Sequence, residues 1–262
     1  MSDETHVVIE ERGDGVARVR LERPAKRNAL TREMLSRLAE IFDGVAARRD
    51  LRAVILSGAG TDFCAGTDIA ELAALDSEDA RRKAEDGQRA CELIETCGTL
   101  VVAAVEGAAA GGGCELALAC HLRVAARGAR FALPESRLGV LPAYGGTQRL
   151  ARSVGPGRAL AVMLAGDHVD AEEAFRLGLA NRLVEPGRAV EEAEALARAV
   201  QDFAAPLAVR ACLEAVTRGT RLPLADGLRL EAELFSRLFS TRDAREGTRA
   251  FLEKRPPAFK GE

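Results

Sequence analysis

Among 262 residues there is no tryptophan, one tyrosine (Tyr144), three histidines and four lysines (Lys26, Lys83, Lys254, Lys260). Six cysteines form no CxxC pair, and no cysteine–histidine cluster has zinc-ligand spacing, so a structural zinc site or other metal centre is not expected. Cys64, Cys91, Cys97, Cys114, Cys120 and Cys212 lie mostly in apolar stretches and read as buried free thiols, which points to a reducing cytoplasm. The net charge is −3, so no basic excess suggests nucleic acid or an anionic membrane as a partner. The predominance of arginine among the basic residues is a compositional bias rather than a site. A GxxxxGK[ST] phosphate loop is missing, as is GxGxxG at the strand–helix junctions.

The acidic start, MSDETHVVIE, has no apolar signal core. The most apolar run, residues 100–120, is long enough to suggest a membrane span. It carries Glu106, Glu115 and several glycines, and a carboxylate at mid-membrane costs roughly 2.5–3.5 kcal/mol. A buried strand, a glycine turn and a buried helix account for the run better.

The hydrophobic fraction of 47% can bury a sizeable core. Val7–Ile9 and Val16–Leu21 read as strands around a Gly13-Asp14-Gly15 turn. Leu35, Leu38, Phe42 and Val45 recur at helical steps after a Thr31 N-cap. RAVILSG (52–58) and LVVAAV (100–105) are buried strands, and HLRVAA, RFAL and NRLVE are further strands. Helices fit about 69–97, 147–153, 157–165, 170–177, 188–204, 206–217, 223–239 and 241–254. Strand–helix alternation predicts an α/β layered core over 1–200, and the strand-poor stretch 201–262 predicts a helical appendage.

Two glycine-containing turns follow buried strands: FCAGTD (63–68) and EGAAAGGGCE (106–115). Glycine lets backbone approach a ligand, and a helix opening after such a turn presents free N–H groups suited to an oxyanion. Glu115 falls in the first turn of a helix that is otherwise apolar, so its carboxylate needs a partner or a task. Glu135, in ALPESRLG, reads from local sequence as an exposed loop acid.

Taken together, EGAAAGGGCELALAC, FALPESRLGVLPAYGGTQRL and FCAGTDI resemble the crotonase, or enoyl-CoA hydratase/isomerase, family. The resemblance extends in order through RPAKRNAL, AGDHVDAEEAFRLGLANRLV and FLEKRPPAFKG, nearly the whole chain. It implies a ClpP-like right-handed spiral of ββα units with a C-terminal helical trimerisation region. It also implies an acyl-CoA thioester substrate, a homotrimer or dimer of trimers, and no cofactor beyond the coenzyme A of the substrate. Most like these segments are the enoyl-CoA hydratases of fatty acid β-oxidation. By position, the thioester oxygen would meet the amides of Thr67 and Gly112. Glu115 and Glu135 would be the catalytic pair, Glu135 as acid and Glu115 as base or water holder, with the roles shared in a coupled pair. Substrate contacts would fall at Lys26, Ala29, Ala65, Gly66, Asp68, Ile69, Gly111, Pro134 and Tyr144, with Phe259 and Lys260 reaching in from a neighbouring subunit. Tyr144 either lines the acyl pocket or packs under its loop.

Several positions depart from the common pattern. His121 stands where many relatives carry an acid and reads as structural. Ala70 replaces a frequent lysine, and Thr67 replaces the usual alanine at the oxyanion position, adding a hydroxyl near the thioester. Two carboxylates favour hydration over isomerisation, which usually needs one. Other lyase chemistries of the family are alternatives, as is a non-catalytic RNA-binding or scaffold role, which the charge of −3 does little to support.

Overall fold

The computed structural model describes residues 6–11 and 13–262. In chain order it begins with β1 (Val7–Glu11), β2 (Val16–Leu21), α1 (Arg32–Ala47) and β3 (Ala53–Gly58). Next come α2 (Ile69–Ala73), α3 (Ser77–Thr96), β4 (Leu100–Val105), β5 (Ala108–Ala110) and α4 (Gly112–Ala119). Then follow β6 (Leu122–Ala126), β7 (Arg130–Ala132), α5 (Gly146–Val154), α6 (Pro156–Leu164), β8 (Val169–Asp170), α7 (Ala171–Arg176) and β9 (Arg182–Val184). Four helices complete the chain: α8 (Ala189–Phe203), α9 (Pro206–Gly219), α10 (Leu224–Leu238) and α11 (Arg242–Glu253).

Six strands form one sheet in the order β1-β2-β3-β4-β6-β9, and β5-β7-β8 form a second. Only β1 runs antiparallel in the larger sheet; β2, β3, β4, β6 and β9 are parallel. After β4 the chain enters the small sheet as β5 and then forms α4. After β6 it enters as β7 and leads on to α5. The turn after β3 repeats the pattern in abbreviated form: Cys64 makes a single bridge to Ala109 of β5 before α2 and α3. These are the expected ββα turns of the spiral.

The buried aliphatics explain the layering. β4 is buried at every position because both faces are covered. Val101, Ala103 and Val105 face the main core with Leu35, Leu38 and Phe42 of α1 and Ile94 of α3. Val102 and Ala104 face the other way, against Ala189, Ala193 and Ala197 of α8. Helix α8 therefore belongs to the core, and the division expected near residue 200 falls inside its last turn. The apolar run 100–120 is β4, β5 and α4, and no helix among the described residues is long and apolar enough to cross a membrane. All six cysteines are free, and five are buried.

Two short strands went beyond the sequence reading. Ala108–Ala110 is expected as turn, and residue 170 as the start of a helix. Alanine has little strand preference of its own; β5 exists because β7 and the Cys64 segment pair with it.

Candidate active site

The site lies where the parallel strands end, and it is built by two loops brought into contact. Asn28, fully buried, pins the first. Its side-chain amide donates to the carbonyls of Ala59 (2.9 Å) and Asp62 (2.8 Å), and its Oδ1 accepts from the Arg23 N–H (3.0 Å). Sequence reasoning passed over this residue; the only signal was an asparagine in a proline-opened loop, and asparagine tolerates the left-handed backbone it adopts there (φ 58°). The segment 63–66 then runs beside β5, with the Cys64 N–H on Ala108 O (2.9 Å) and the Ala110 N–H on Cys64 O (2.9 Å).

Gly66 and Gly111 allow the closest approach. A Cβ on Gly66 (φ 107°) would lie 2.9 Å from Ala110 O, and one on Gly111 (φ 50°) would lie 3.0 Å from Glu135 Oε1. Both positions require glycine for conformation and for space. Thr67 and Gly112, each one residue further on, are thereby neighbours across the junction. Leu30 donates to Gly66 O (2.7 Å) and accepts from the Asp68 N–H (2.8 Å), which turns the Thr67 N–H away from that pairing. Gly112 opens α4, where first-turn N–H groups have no helical acceptor. Among the described residues neither the Thr67 nor the Gly112 N–H has an acceptor.

Glu115 projects from α4 and is 1% exposed. Its Oε1 accepts from the N–H groups of Tyr144 (2.8 Å) and Gly146 (2.6 Å). The loop presenting those donors is held by Gln88, which donates to Ala143 O (2.9 Å), and by Arg149, which donates to Tyr144 O (3.0 Å). Burial pushes the Glu115 carboxyl up to about 7; the Gly146 and Tyr144 N–H bonds act against that rise, and the nearby Glu135 charge adds to it. Glu135 opens a 3-10 turn (Glu135–Leu138) after Pro134, and burial raises its carboxyl to about 7 as well. Its Oε2 is buried with no hydrogen-bond partner.

Both carboxylates line one cleft of about 370 Å³. Ala65, Gly66, Thr67, Ile69, Gly111, Pro134 and Tyr144, positions at which the resemblance implies substrate contacts or an oxyanion donor, line it too. Apolar walls come from Leu72 and Leu75 on one side and Leu138, Val140 and Leu141 on the other. The cleft thus combines a greasy groove, two carboxyls poised near neutrality and the free Thr67 amide; Gly112, buried next to the lining residue Gly111, adjoins the cleft without lining it.

Tyr144 does both things foreseen for it: it lines the cleft and it packs. Its ring sits between Gly87 of α3 and Gly112 of α4, where added Cβ atoms would come within 2.0 Å and 2.7 Å of ring carbons. His121 is structural, as read. Its Nδ1 accepts from the Val101 N–H (2.9 Å), and its Nε2 bonds Glu95 O (3.1 Å).

Other expected contacts lie outside the cleft within a single chain. Asp68 caps α2 through the Ala70 N–H (2.9 Å) and pairs with Arg23 (2.9 Å). Lys26 is exposed at the end of the turn Pro24–Lys26, and Ala29 O accepts from Arg23 (2.8 Å). Phe259 and Lys260 line a different groove, with Arg52, Thr99 and Arg210. The most exposed aromatic near the C-terminus is instead Phe251, at 84%.

A ββα spiral with a carboxylate pair and free amides at the junction of its strand ends and α4 defines the crotonase class of fold and site. The family described as enoyl-CoA hydratase/isomerase matches residues 11–262, and the chain belongs to it. It is 41% identical to a crotonyl-CoA hydratase of Syntrophomonas wolfei, over 96% of this chain and 97% of that one. It is 38% identical to a short-chain-enoyl-CoA hydratase of Clostridium acetobutylicum, over 95% of each. The crystal structure of an enoyl-CoA hydratase from Bacillus anthracis superposes with a TM-score of 0.93 at 36% identity, covering 98% of this chain and all of that one.

Proposed function

We propose that this protein is an enoyl-CoA hydratase, adding water across the 2,3 double bond of a 2-enoyl-CoA thioester. The observation that carries the reading is two carboxyls raised to about 7 in one apolar cleft, with the unpartnered Thr67 N–H on its wall and that of Gly112 beside the lining residue Gly111.

The Thr67 and Gly112 amides polarise the thioester carbonyl and hold the negative charge that builds on its oxygen as water adds at C3. Each such donor contributes about 100–1000-fold in rate. Glu115 accepts a proton from the attacking water, since its two N–H bonds favour the ionised form. Glu135 delivers a proton to C2, since its Oε2 has no partner to stabilise a charge. Water addition is redox-neutral, so this set suffices for it without a metal or redox cofactor. The coenzyme A portion runs out past Ala65 and Ile69. The free thiols suit a reducing cytoplasm.

Turnover of a panel of 2-enoyl-CoA thioesters, followed as loss of enoyl-thioester absorbance, tests the reading. Hydration of crotonyl-CoA is the expected result, and no turnover of any member would overturn it.

The region 201–262 serves assembly in this reading. α10 leaves Leu224, Leu228 and Phe235 exposed, with Phe239 at its C-cap, and α11 leaves Phe251 and Leu252 exposed. Large apolar side chains exposed on the outer faces of these helices favour burial against another subunit. Light scattering of the full chain is expected to give a trimer or a dimer of trimers; a monomer at micromolar concentration would contradict the assembly role.

A further inference from the structure

Thr67 and Tyr144 share a hydrogen bond at the cleft wall, and counting hydrogens shows that one is left over. Thr67 Oγ1 donates to Tyr144 Oη at 2.9 Å. Each hydroxyl carries one hydrogen, and the mutual bond uses one of the two. Among the described residues neither oxygen has another hydrogen-bond partner. One O–H donor therefore has no acceptor, on Tyr144 while Thr67 donates and on Thr67 if the bond reverses. Both residues line the cleft, and Tyr144 is only 3% exposed. A hydroxyl donor at the cleft wall with no protein acceptor is available to a ligand atom.

The position of this donor narrows its target. Thr67 also carries one of the two free N–H groups, and the Tyr144 ring lies directly against Gly112, which carries the other. The ring is fixed between Gly87 and Gly112, so its hydroxyl is pre-aimed. Burial pushes the phenol well above its ordinary range, so it remains a donor at working pH.

We propose that the Thr67–Tyr144 hydroxyl pair supplies a third hydrogen-bond donor to the thioester oxygen as it gains enolate charge, beside the Thr67 and Gly112 N–H groups. This rests on the hydratase reading and deepens it. The pair has redundancy built in: removing either hydroxyl leaves the other free to donate, and only removing both abolishes the donor. A purely structural pair behaves in the opposite way, because either single change already breaks the bond.

The test is a double-mutant cycle on the full-length protein with crotonyl-CoA, using Thr67→Val and Tyr144→Phe, which keep side-chain volume and ring packing. Each single variant is expected to lose less than about 10-fold in kcat, and the double variant about 100–1000-fold or more, the value of a lost oxyanion donor. KM and the affinity for the unreactive saturated thioester butanoyl-CoA stay close to those of the unmodified protein. Melting temperatures identify any folding defect, and Thr67→Ala with Tyr144→Phe repeats the cycle if valine disturbs the Leu30 bridge. A double variant no worse than the product of the singles overturns the third donor while leaving hydration intact. Absence of turnover in the unmodified protein overturns the hydratase reading and this proposal with it.

Discussion

Replacing Glu135 by glutamine is expected to lower kcat for crotonyl-CoA hydration by about 1000-fold, within the range for loss of a general acid. Acyl-CoA affinity should change little. The side chain keeps its shape, and its Oε2 has no protein partner to lose. No residue is placed to take over: Glu115 is already committed through Oε1 to the Tyr144 and Gly146 amides. Stopped-flow or steady-state loss of enoyl absorbance measures the effect. Near-normal turnover in Glu135→Gln would remove Glu135 from the mechanism and leave the proton at C2 without a source.

Glu115→Gln should also abolish turnover, yet yield a more stable protein above neutrality. In the fold the Glu115 carboxyl sits at about 7, against 4.5 for an ordinary glutamate. Below about pH 4.5 both folded and unfolded forms carry the proton, and the group exacts no penalty. Between 4.5 and 7 the unfolded chain loses the proton first, so stability falls as pH rises, and above 7 the loss is complete. Its size is on the order of 3 kcal/mol. Glutamine removes the charge, and its carbonyl still accepts from the two amides. The variant's melting temperature should exceed that of the unmodified protein at pH 8 and converge on it near pH 4.5. Parallel melting curves across that range would show that burial does not set the Glu115 carboxyl. The same two raised carboxyls predict a bell-shaped rate profile centred near neutrality, because one must be ionised and the other protonated.

Much of the fold was legible because its signals are local. Thr31 caps α1 through the Met34 N–H (3.2 Å), and the aliphatic runs at 53–58 and 100–105 could only be buried strands. The site was legible by resemblance far more than by local chemistry. Glu135 alone reads as a loop acid; only its burial in the cleft, beside Pro134 and Gly111, raises its carboxyl. Asp68 does not line the cleft: its short polar side chain at a helix start caps that helix, and Arg23 completes its pairing. Within one chain Phe259 and Lys260 lie away from the cleft, as a contribution from a neighbouring subunit requires; the Lys260 and Gly261 N–H groups bind Asp243 (2.8 and 2.7 Å), which ties the tail to α11.

The sequence alone determined the alternation of buried strands and helices and the two glycine junctions, because spacing and residue type are written in one dimension; the acid pair entered only through the family resemblance. Tertiary structure decided which groups were left without partners: the Thr67 and Gly112 amides, Glu135 Oε2, and the surplus hydroxyl hydrogen between Thr67 and Tyr144. Hydrogen-bond satisfaction depends on everything within about 3 Å of an atom. Residues 67 and 144 are 77 apart along the chain, and only folding brings their oxygens together.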